Sequence, residues 1–246
     1  MAYNRPMSLD YEAVRGGAAR PPWRAELSRR FHAYLPLKAL AITGAISLFM
    51  AIYFLLLRHP LFPITVIPLT SLDRLIGFEP WSLLPYASLW VYISIAPLLL
   101  DTRRTGMLYL ASAVLLATAG FLIFLFWPST VPAPGIDWSR YPYIAFLKSI
   151  DAAGNACPSL HVAYAVSGAL WLRYVLKTVR TPGSWQALNL IWCGVIAYST
   201  LATKQHVAID LAAGALLGAL ATAPFLWLAR LPNPQLIGRI PRDRAG

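Results

Sequence analysis

The sequence predicts an all-α integral membrane protein, a bundle of six transmembrane helices. Of the 246 residues, 58% are hydrophobic and 13% are charged, whereas soluble domains average about 25% charged residues. A helix needs about 20 apolar residues to cross the hydrocarbon core. Six uncharged stretches approach or reach this length: residues 39–57, 80–100, 106–127, 159–172, 186–203 and 211–229. The fourth reaches it only if the helix continues past Arg173, whose side chain can snorkel to the membrane interface.

The predicted six-span membrane domain covers residues 38–230 and lies between two polar tails. Residues 1–37 contain six arginines and are predicted to be a mostly unstructured, basic cytosolic tail. They are too long and polar for the start of a cleavable signal, and the following apolar run has the length of a span. The first span is therefore predicted to be an uncleaved anchor. Residues 231–246 are predicted to be a second cytosolic tail.

The basic residues predict the orientation in the membrane. With six spans both termini lie on one side, and 16 of the 21 Lys and Arg residues fall there. By the positive-inside rule this side is cytoplasmic, so we expect His161 and His206 to open toward the periplasm or exterior of a bacterial inner membrane. No nucleic-acid-binding motif accompanies the net charge of +11, so nucleic acid is not a predicted partner. Five basic residues fall on the other side: Arg58, Arg74, Arg140, Lys148 and Lys204.

Asp210 lies near the start of an otherwise uncharged run over residues 207–229. A charge at the bilayer centre costs roughly 2.5–3.5 kcal/mol even on the insertion scale, so such residues usually serve function and have a partner. His206 lies four residues earlier, which would place both side chains on one face of a helix. Asp210 would then accept the imidazole N–H and leave the other ring nitrogen as nucleophile or base.

A second histidine lies in the segment CPSLH at residues 157–161. Pro158 is predicted to be the first residue of the fourth spanning helix. The free backbone N–H groups of Ser159, Leu160 and His161 would then face the outer aqueous side. A helix N-terminus of this kind attracts phosphate.

The predicted fifth span ends close to His206 in sequence. Ser199, Thr200 and Lys204 would therefore reach the same membrane face. Hydroxyls, an ammonium, backbone donors and two imidazoles together suit phosphoryl transfer. They offer donors for phosphate oxygens, a nucleophile and a proton donor for the leaving oxygen.

These two segments resemble signature motifs of the type 2 phosphatidic acid phosphatase superfamily, which includes the vanadium haloperoxidases. PSLH at 158–161 is similar to the second motif, P-S-G-H, and STLATKQHVAID at 199–210 to the third, S-R-x-x-x-G-x-H-x-x-x-D. The resemblance implies a membrane lipid phosphatase that needs no metal and no cofactor. It implies that His206 forms a phosphohistidine, that Asp210 orients it, and that His161 protonates the departing alcohol.

The resemblance also implies that Ser159 and Ser199 hold phosphate oxygens, but the motifs contain departures. Leu160 replaces the usual glycine, Thr200 the usual arginine, and Lys204 the glycine two residues before the histidine. All five residues are candidates for substrate binding.

The first motif of the family, K-x6-R-P, is not recognisable. If its proline is aligned with Pro128, Gly120 and Trp127 stand where the two cations belong. The sequence therefore predicts a phosphate pocket that has lost cations, and we hypothesise that Lys204 partly replaces them.

Three functions fit the sequence. The first is hydrolysis of a phosphoester or pyrophosphate in a lipid phosphate. Leu160 and the glutamine before the motif histidine, Gln205, resemble the inositol phosphorylceramide synthase branch, which implies a phosphotransferase that moves a phospho-headgroup to a lipid or sugar alcohol. The third is a non-catalytic protein that binds membrane lipids. All three predict a lipid partner and leave the oligomeric state open.

Two other chemistries fit the residues less well. The His–Asp pair could be half of a metal site, but His32 and His59 lie in a tail and a loop, which leaves too few ligands for tetrahedral zinc. Cys157 could indicate a thiol phosphatase, yet a C-x5-R loop would need arginine at Ala163.

Gly214 and Gly218 continue the face of Asp210 at four-residue steps. Small residues at this spacing let two helix backbones approach closely in a membrane. We therefore predict a helix-packing surface at these positions.

Overall fold

The computed structural model describes residues 21–145 and 155–232. This part of the chain is mostly helical, which confirms the all-α class. Its α-helices are α1 (Trp23–His32), α2 (Leu35–Arg58), α3 (Ser71–Leu75), α4 (Leu83–Ala87), α5 (Leu89–Leu99), α6 (Arg103–Phe126), α7 (Leu160–Thr178), α8 (Gly183–Ala202) and α9 (Ala208–Arg230). Short 3-10 helices cover Pro80–Ser82 and Trp138–Arg140.

Two short strands connect the loops on the histidine side of the bundle. Strand β1 (Thr65–Val66) pairs in parallel with β2 (Ser129–Thr130), and Ser129 also forms a bridge with Asn155. The loops after α2 and α6 are therefore joined to the segment that leads into α7.

Among the residues that the structure describes, four helical segments are long and apolar enough to cross a membrane. They correspond to the first, second, third and sixth predicted spans: Leu35–Arg58, Pro80–Leu99, Arg103–Phe126 and Ala208–Arg230. The other two predicted spans coincide with α7 and α8, of 19 and 20 residues. Helix α7 continues past Arg173, as expected. The count of six transmembrane helices remains a prediction.

Helix α7 lies at the centre of the bundle and contacts α5, α6, α8 and α9. More than half of its residues are buried. Trp171 is fully buried, and its indole N–H donates to the Ser112 hydroxyl at 3.0 Å. Such pairing is required because the hydrocarbon region supplies no water for a polar group.

The crossing of α7 and α9 depends on two glycines. A side-chain carbon added at Gly214 would collide with the backbone carbonyl oxygen of Ser159, and one added at Gly218 with that of Ala163. This confirms the predicted packing surface. It also brings the N-terminus of α7 against the first turns of α9, which carry Asp210.

The prediction that residues 1–37 are mostly unstructured is wrong for residues 23–32. They form α1, which packs on α5 through apolar residues such as Leu27. Arg30 is buried and forms ion pairs with Glu26 at 2.7 Å and with Asp101 at 3.0 Å. The packing on α5 and the ion pair with Asp101 join distant parts of the chain, so composition alone does not indicate them. The rest of the N-terminal tail up to residue 20 and nearly all of the C-terminal tail, residues 233–246, lie outside the described residues.

Candidate functional site

The N-terminus of α7 differs from the prediction at Pro158. The helix begins at Leu160, and Ser159 is its cap, with a hydroxyl that accepts the Val162 N–H at 3.3 Å. The Ser159 N–H donates to the backbone carbonyl of Asp210 at 3.0 Å, so it is not directed at solvent. Within the described ranges, no residue accepts a hydrogen bond from the backbone N–H of Leu160 or His161.

The turn that carries His206 lies between α8 and α9. The carbonyl of Thr200 accepts two backbone N–H groups, from Gln205 at 3.2 Å and from His206 at 3.1 Å. Lys204 adopts a left-handed conformation with φ of 57°. Because α9 begins only at Ala208, the expectation that His206 and Asp210 share a helical face is wrong.

The side chains of His206 and Asp210 nevertheless meet. His206 Nδ1 lies 3.5 Å from Asp210 Oδ2, and the Asp210 side chain is fully buried. Asp210 Oδ2 also accepts the Val207 N–H at 3.0 Å, which caps the start of α9. In the described part of the chain, His206 Nδ1 and Asp210 Oδ1 have no hydrogen-bond partner. Catalytic hydrogen bonds are often long without substrate and shorten in the complex. With Nδ1 facing Asp210, Nε2 is the ring nitrogen available as a nucleophile.

The ring of His161 is held by Tyr86. His161 Nε2 lies 2.8 Å from the Tyr86 carbonyl oxygen; a carbonyl can only accept, so Nε2 carries a proton. The two rings stack at 3.9 Å between centroids and 13° between planes. A proton passed from His161 to a substrate would therefore come from Nδ1 of the protonated ring.

His161 and His206 line the same cavity, which has a volume of about 840 Å³. Asn155 lines it as well. The Asn155 amide N–H donates to the Tyr53 carbonyl at 3.4 Å, and its Oδ1 has no partner among the described residues. Asn155 was not among the sequence candidates, and no motif marks it. Unpartnered buried polar atoms at the end of a cavity favour a polar ligand there.

The hydroxyls of Ser199 and Thr200 are both buried, and each donates a hydrogen bond to a backbone carbonyl within α8. Ser199 donates to the Ile196 carbonyl at 2.6 Å, and Thr200 to the Ala197 carbonyl at 2.7 Å. Their own carbonyls accept backbone N–H groups of the turn before His206. This geometry supports a role for both residues in shaping that turn more than in holding phosphate.

The side chain of Leu160 lies beside Gly120, one of the two positions where the first motif is lost. It packs in a buried cluster with Leu116 and Phe124 and also lines the cavity. A side-chain carbon added at Gly120 would collide with it. Leu160 thus fills the space beside the position that aligns with the family's first-motif lysine. The two departures from the family pattern are therefore spatial neighbours.

The side chain of Lys204 contacts the segment around α3 instead of extending into the cavity as a free cation. Its ammonium donates to the backbone carbonyls of Asp73, at 3.2 Å, and of Ile76. To neutralise a substrate phosphate it would have to leave these carbonyls. The contacts instead support an anchoring role, which attaches the turn before His206 to the segment around α3.

Asp73 strengthens the same connection and was not among the sequence candidates. This buried carboxylate accepts the Ala208 N–H at 2.8 Å through Oδ1, at the first residue of α9. Its other oxygen accepts from the backbone and hydroxyl of Thr70 at 2.7 and 2.8 Å. The spacing of Thr70 and Asp73 is a visible capping signal, but the bond to Ala208 spans 135 residues and has no sequence signature.

A thiolate nucleophile at Cys157 does not fit the site. Burial, and then the negative charge of neighbouring Asp210, raise the pKa of Cys157 to about 11. The thiol is therefore protonated at neutral pH, and a protonated thiol is a poor nucleophile.

The fold and the site thus define a helical membrane protein in which two histidines line one cavity and a buried aspartate lies beside one of them. The family comparison gives the particular family: a model of the PAP2 superfamily matches residues 104–233, just over half of the chain. The chain therefore belongs to the PAP2 superfamily, the type 2 phosphatidic acid phosphatase superfamily, whose members are generally phosphatases or phosphotransferases. Comparison with curated proteins and with solved structures gives no match.

Proposed function

We propose that this protein is a metal-independent lipid phosphatase that cleaves a phosphoester or pyrophosphate bond through a phosphohistidine. The observation that carries the proposal is that His161 and His206 line one end of a mostly apolar cavity and that the buried Asp210 lies beside His206. An oriented imidazole beside a buried carboxylate is the arrangement of an activated nucleophile. A lipid-binding protein without catalysis would not need it.

The proposed reaction has two displacements at phosphorus. His206 Nε2 attacks, the bond to the leaving oxygen breaks, and protonated His161 supplies a proton to that oxygen. Asp210 stabilises the imidazolium that forms on His206. The free N–H groups of Leu160 and His161, at the positive end of α7, suit the phosphoryl oxygens. Water then displaces phosphate from His206, and His161 accepts the proton of that water.

We also propose six transmembrane spans, with both termini in the cytoplasm of a bacterium and the site open to the periplasm or exterior. The distribution of Lys and Arg supports this orientation, because 16 of them fall on the side of the two termini and five on the side of the histidines. A water-soluble, short-chain lipid phosphate added to intact cells should then be hydrolysed without entering them. Hydrolysis only after the cells are opened would place the site on the cytoplasmic face.

A second function, transfer of a phospho-headgroup to a lipid or sugar alcohol, is favoured by the charges around the cavity. Lys38 and Arg103 are the cations among its described lining residues, and both lie at the end opposite the histidines. A phosphodiester carries one negative charge, whereas a phosphomonoester carries up to two, so a site with few cations suits the diester better. This agrees with the resemblance to inositol phosphorylceramide synthases in Leu160 and Gln205.

A single assay separates these functions. Purified protein would be given lipid monophosphates, lipid pyrophosphates and phosphodiester lipids, each with and without alcohol acceptors. We expect phosphate release from monophosphates or pyrophosphates at a rate that does not depend on the alcohol. Transfer only from diesters to an alcohol would establish the second function. Binding of all three lipids without turnover would support the non-catalytic alternative.

The contacts of Asp73 lead to a further prediction. Asp73→Ala should lower the free energy of unfolding by about 1–3 kcal/mol, because a helix cap and charged hydrogen bonds are lost. Displacement of the turn should also reduce kcat by roughly 10- to 100-fold with KM little changed. Kinetics and thermal unfolding in detergent would measure both. The matched control is Asp137→Ala, which removes an exposed carboxylate that caps Ser139. Unchanged kcat in Asp73→Ala would contradict the positioning role.

A further inference from the structure

The cavity that contains the two histidines extends far beyond them. It lies between α2, α5, α6 and α7. His161, His206 and Asn155 line one end, and Lys38 and Arg103 line the other. The wall between the two ends is largely apolar and includes Ile46, Phe49, Ile93, Leu110 and Ala113.

This cavity is long enough to hold a whole lipid tail. Its wall on the α4–α5 side runs from Tyr86 to Leu100, a rise of about 20 Å at 1.5 Å per helical residue. The hydrocarbon core of a bilayer is about 30 Å thick, so the tails of one leaflet span about half of that. A cavity volume of about 840 Å³ also falls within the range of ligand pockets.

Polar contacts close the end that lies opposite the histidines. The Lys38 ammonium donates to the backbone carbonyls of Leu98 and Leu100 at 2.8 and 3.0 Å. Asp101, which also lines the cavity, forms an ion pair with buried Arg30 at 3.0 Å. A hydrocarbon chain that extended further would have to displace these bonds and desolvate the charges.

We propose that this cavity holds one hydrocarbon tail of the lipid phosphate, and that its Lys38–Asp101 end sets the longest tail accepted. The inference rests on the proposed function, since it places the phosphate at His206. It adds a specificity determinant at the opposite end of the molecule.

Gly106 offers a way to shorten the cavity. It lines the cavity near the Lys38–Asp101 end, and a side-chain carbon added there meets nothing within 4 Å. The first carbon of a larger side chain therefore meets no neighbouring atom at this position. Gly44 is a matched control: it is helical and exposed, an added carbon there also meets nothing within 4 Å, and it does not line the cavity.

The experiment compares the wild type, Gly106→Phe and Gly44→Phe on alkyl monophosphates from hexyl to octadecyl. In the wild type, kcat/KM should rise by up to about fourfold for each buried methylene and then level off. In Gly106→Phe, kcat/KM should level off at a shorter tail. On octadecyl phosphate it should be roughly tenfold or more below the wild type, the equivalent of about two buried methylenes. Hexyl phosphate should be turned over as in the wild type. Gly44→Phe should follow the wild type at every length.

The same series of tails is then measured as alkylphosphonates, which bind without turnover, by the shift in unfolding temperature. If no phosphate is hydrolysed but long phosphonates stabilise the wild type more than Gly106→Phe, the proposed function fails and the tail cavity stands. Stabilisation that is independent of tail length, or equal in the wild type and Gly106→Phe, would overturn the tail cavity. The tail-cavity proposal would also be overturned if Gly106→Phe lowered kcat/KM by the same factor for every tail length.

Discussion

His206→Ala is expected to abolish turnover, with kcat at least about 10⁴-fold below the wild type, because the substitution removes the nucleophile itself. Binding should persist, since the cavity that would receive the lipid tail is unchanged. The measurement is phosphate release together with phosphonate binding. The control is His59→Ala, which removes an exposed histidine at the end of α2 and should leave kcat within about twofold of the wild type.

A His206→Ala protein that still turned over lipid phosphates at the wild-type rate would contradict the nucleophile assignment. Loss of both binding and turnover would mean that the variant is unfolded. Thermal unfolding of the same sample distinguishes that outcome from loss of chemistry.

Asp210→Asn is expected to lower kcat by about 10³- to 10⁴-fold, as the loss of an imidazole-orienting carboxylate does in other histidine-dependent sites. Asparagine has the same shape and can still accept the Val207 N–H, so the start of α9 should persist. Its amide cannot stabilise the imidazolium on His206, and it can reverse which ring nitrogen carries the proton. Steady-state kinetics and thermal unfolding would be measured together.

Asp210→Ala provides the comparison for this prediction. It removes the cap as well as the charge, so it should reduce both kcat and the free energy of unfolding, the latter by about 0.5–2 kcal/mol. Asp210→Asn with kcat within tenfold of the wild type would show that the charge of Asp210 serves the fold and not the chemistry.

The sequence predicts the parts of this molecule that follow from local composition. Four of the six apolar runs form helical segments that are long and apolar enough to span a membrane. Asp210 stands out because a carboxylate in such a run is costly, and His206 is its nearest candidate partner. The family assignment follows from the two motifs, and the family comparison confirms it.

What the sequence could not predict depends on contacts between distant segments. The four-residue spacing of His206 and Asp210 suggested a shared helix, yet α9 begins after His206. There, Asp73 accepts the Ala208 N–H, and Lys204 donates to carbonyls of the α3 segment. Composition likewise suggested an unstructured N-terminal tail, whereas the Arg30–Asp101 ion pair and apolar packing order α1.

The sequence also could not predict that Gly120 and Leu160, two departures from the family motifs, are neighbours in space. In the sequence alone, Gly120 is a missing cation, and Leu160 is a bulky residue at a position where the family has glycine. In the structure the leucine side chain fills the space beside the glycine, so the two changes form one altered pocket.

The proposed mechanism depends on a covalent phosphate on His206, and mapping that phosphate is its most direct test. The protein would be mixed with a labelled lipid phosphate, quenched within one turnover under alkaline conditions that preserve phosphohistidine, digested and analysed by mass spectrometry. We expect the added phosphate on the imidazole of His206 and no label in His206→Ala. Label on another residue, or complete single-turnover hydrolysis without any labelled histidine, would contradict the account.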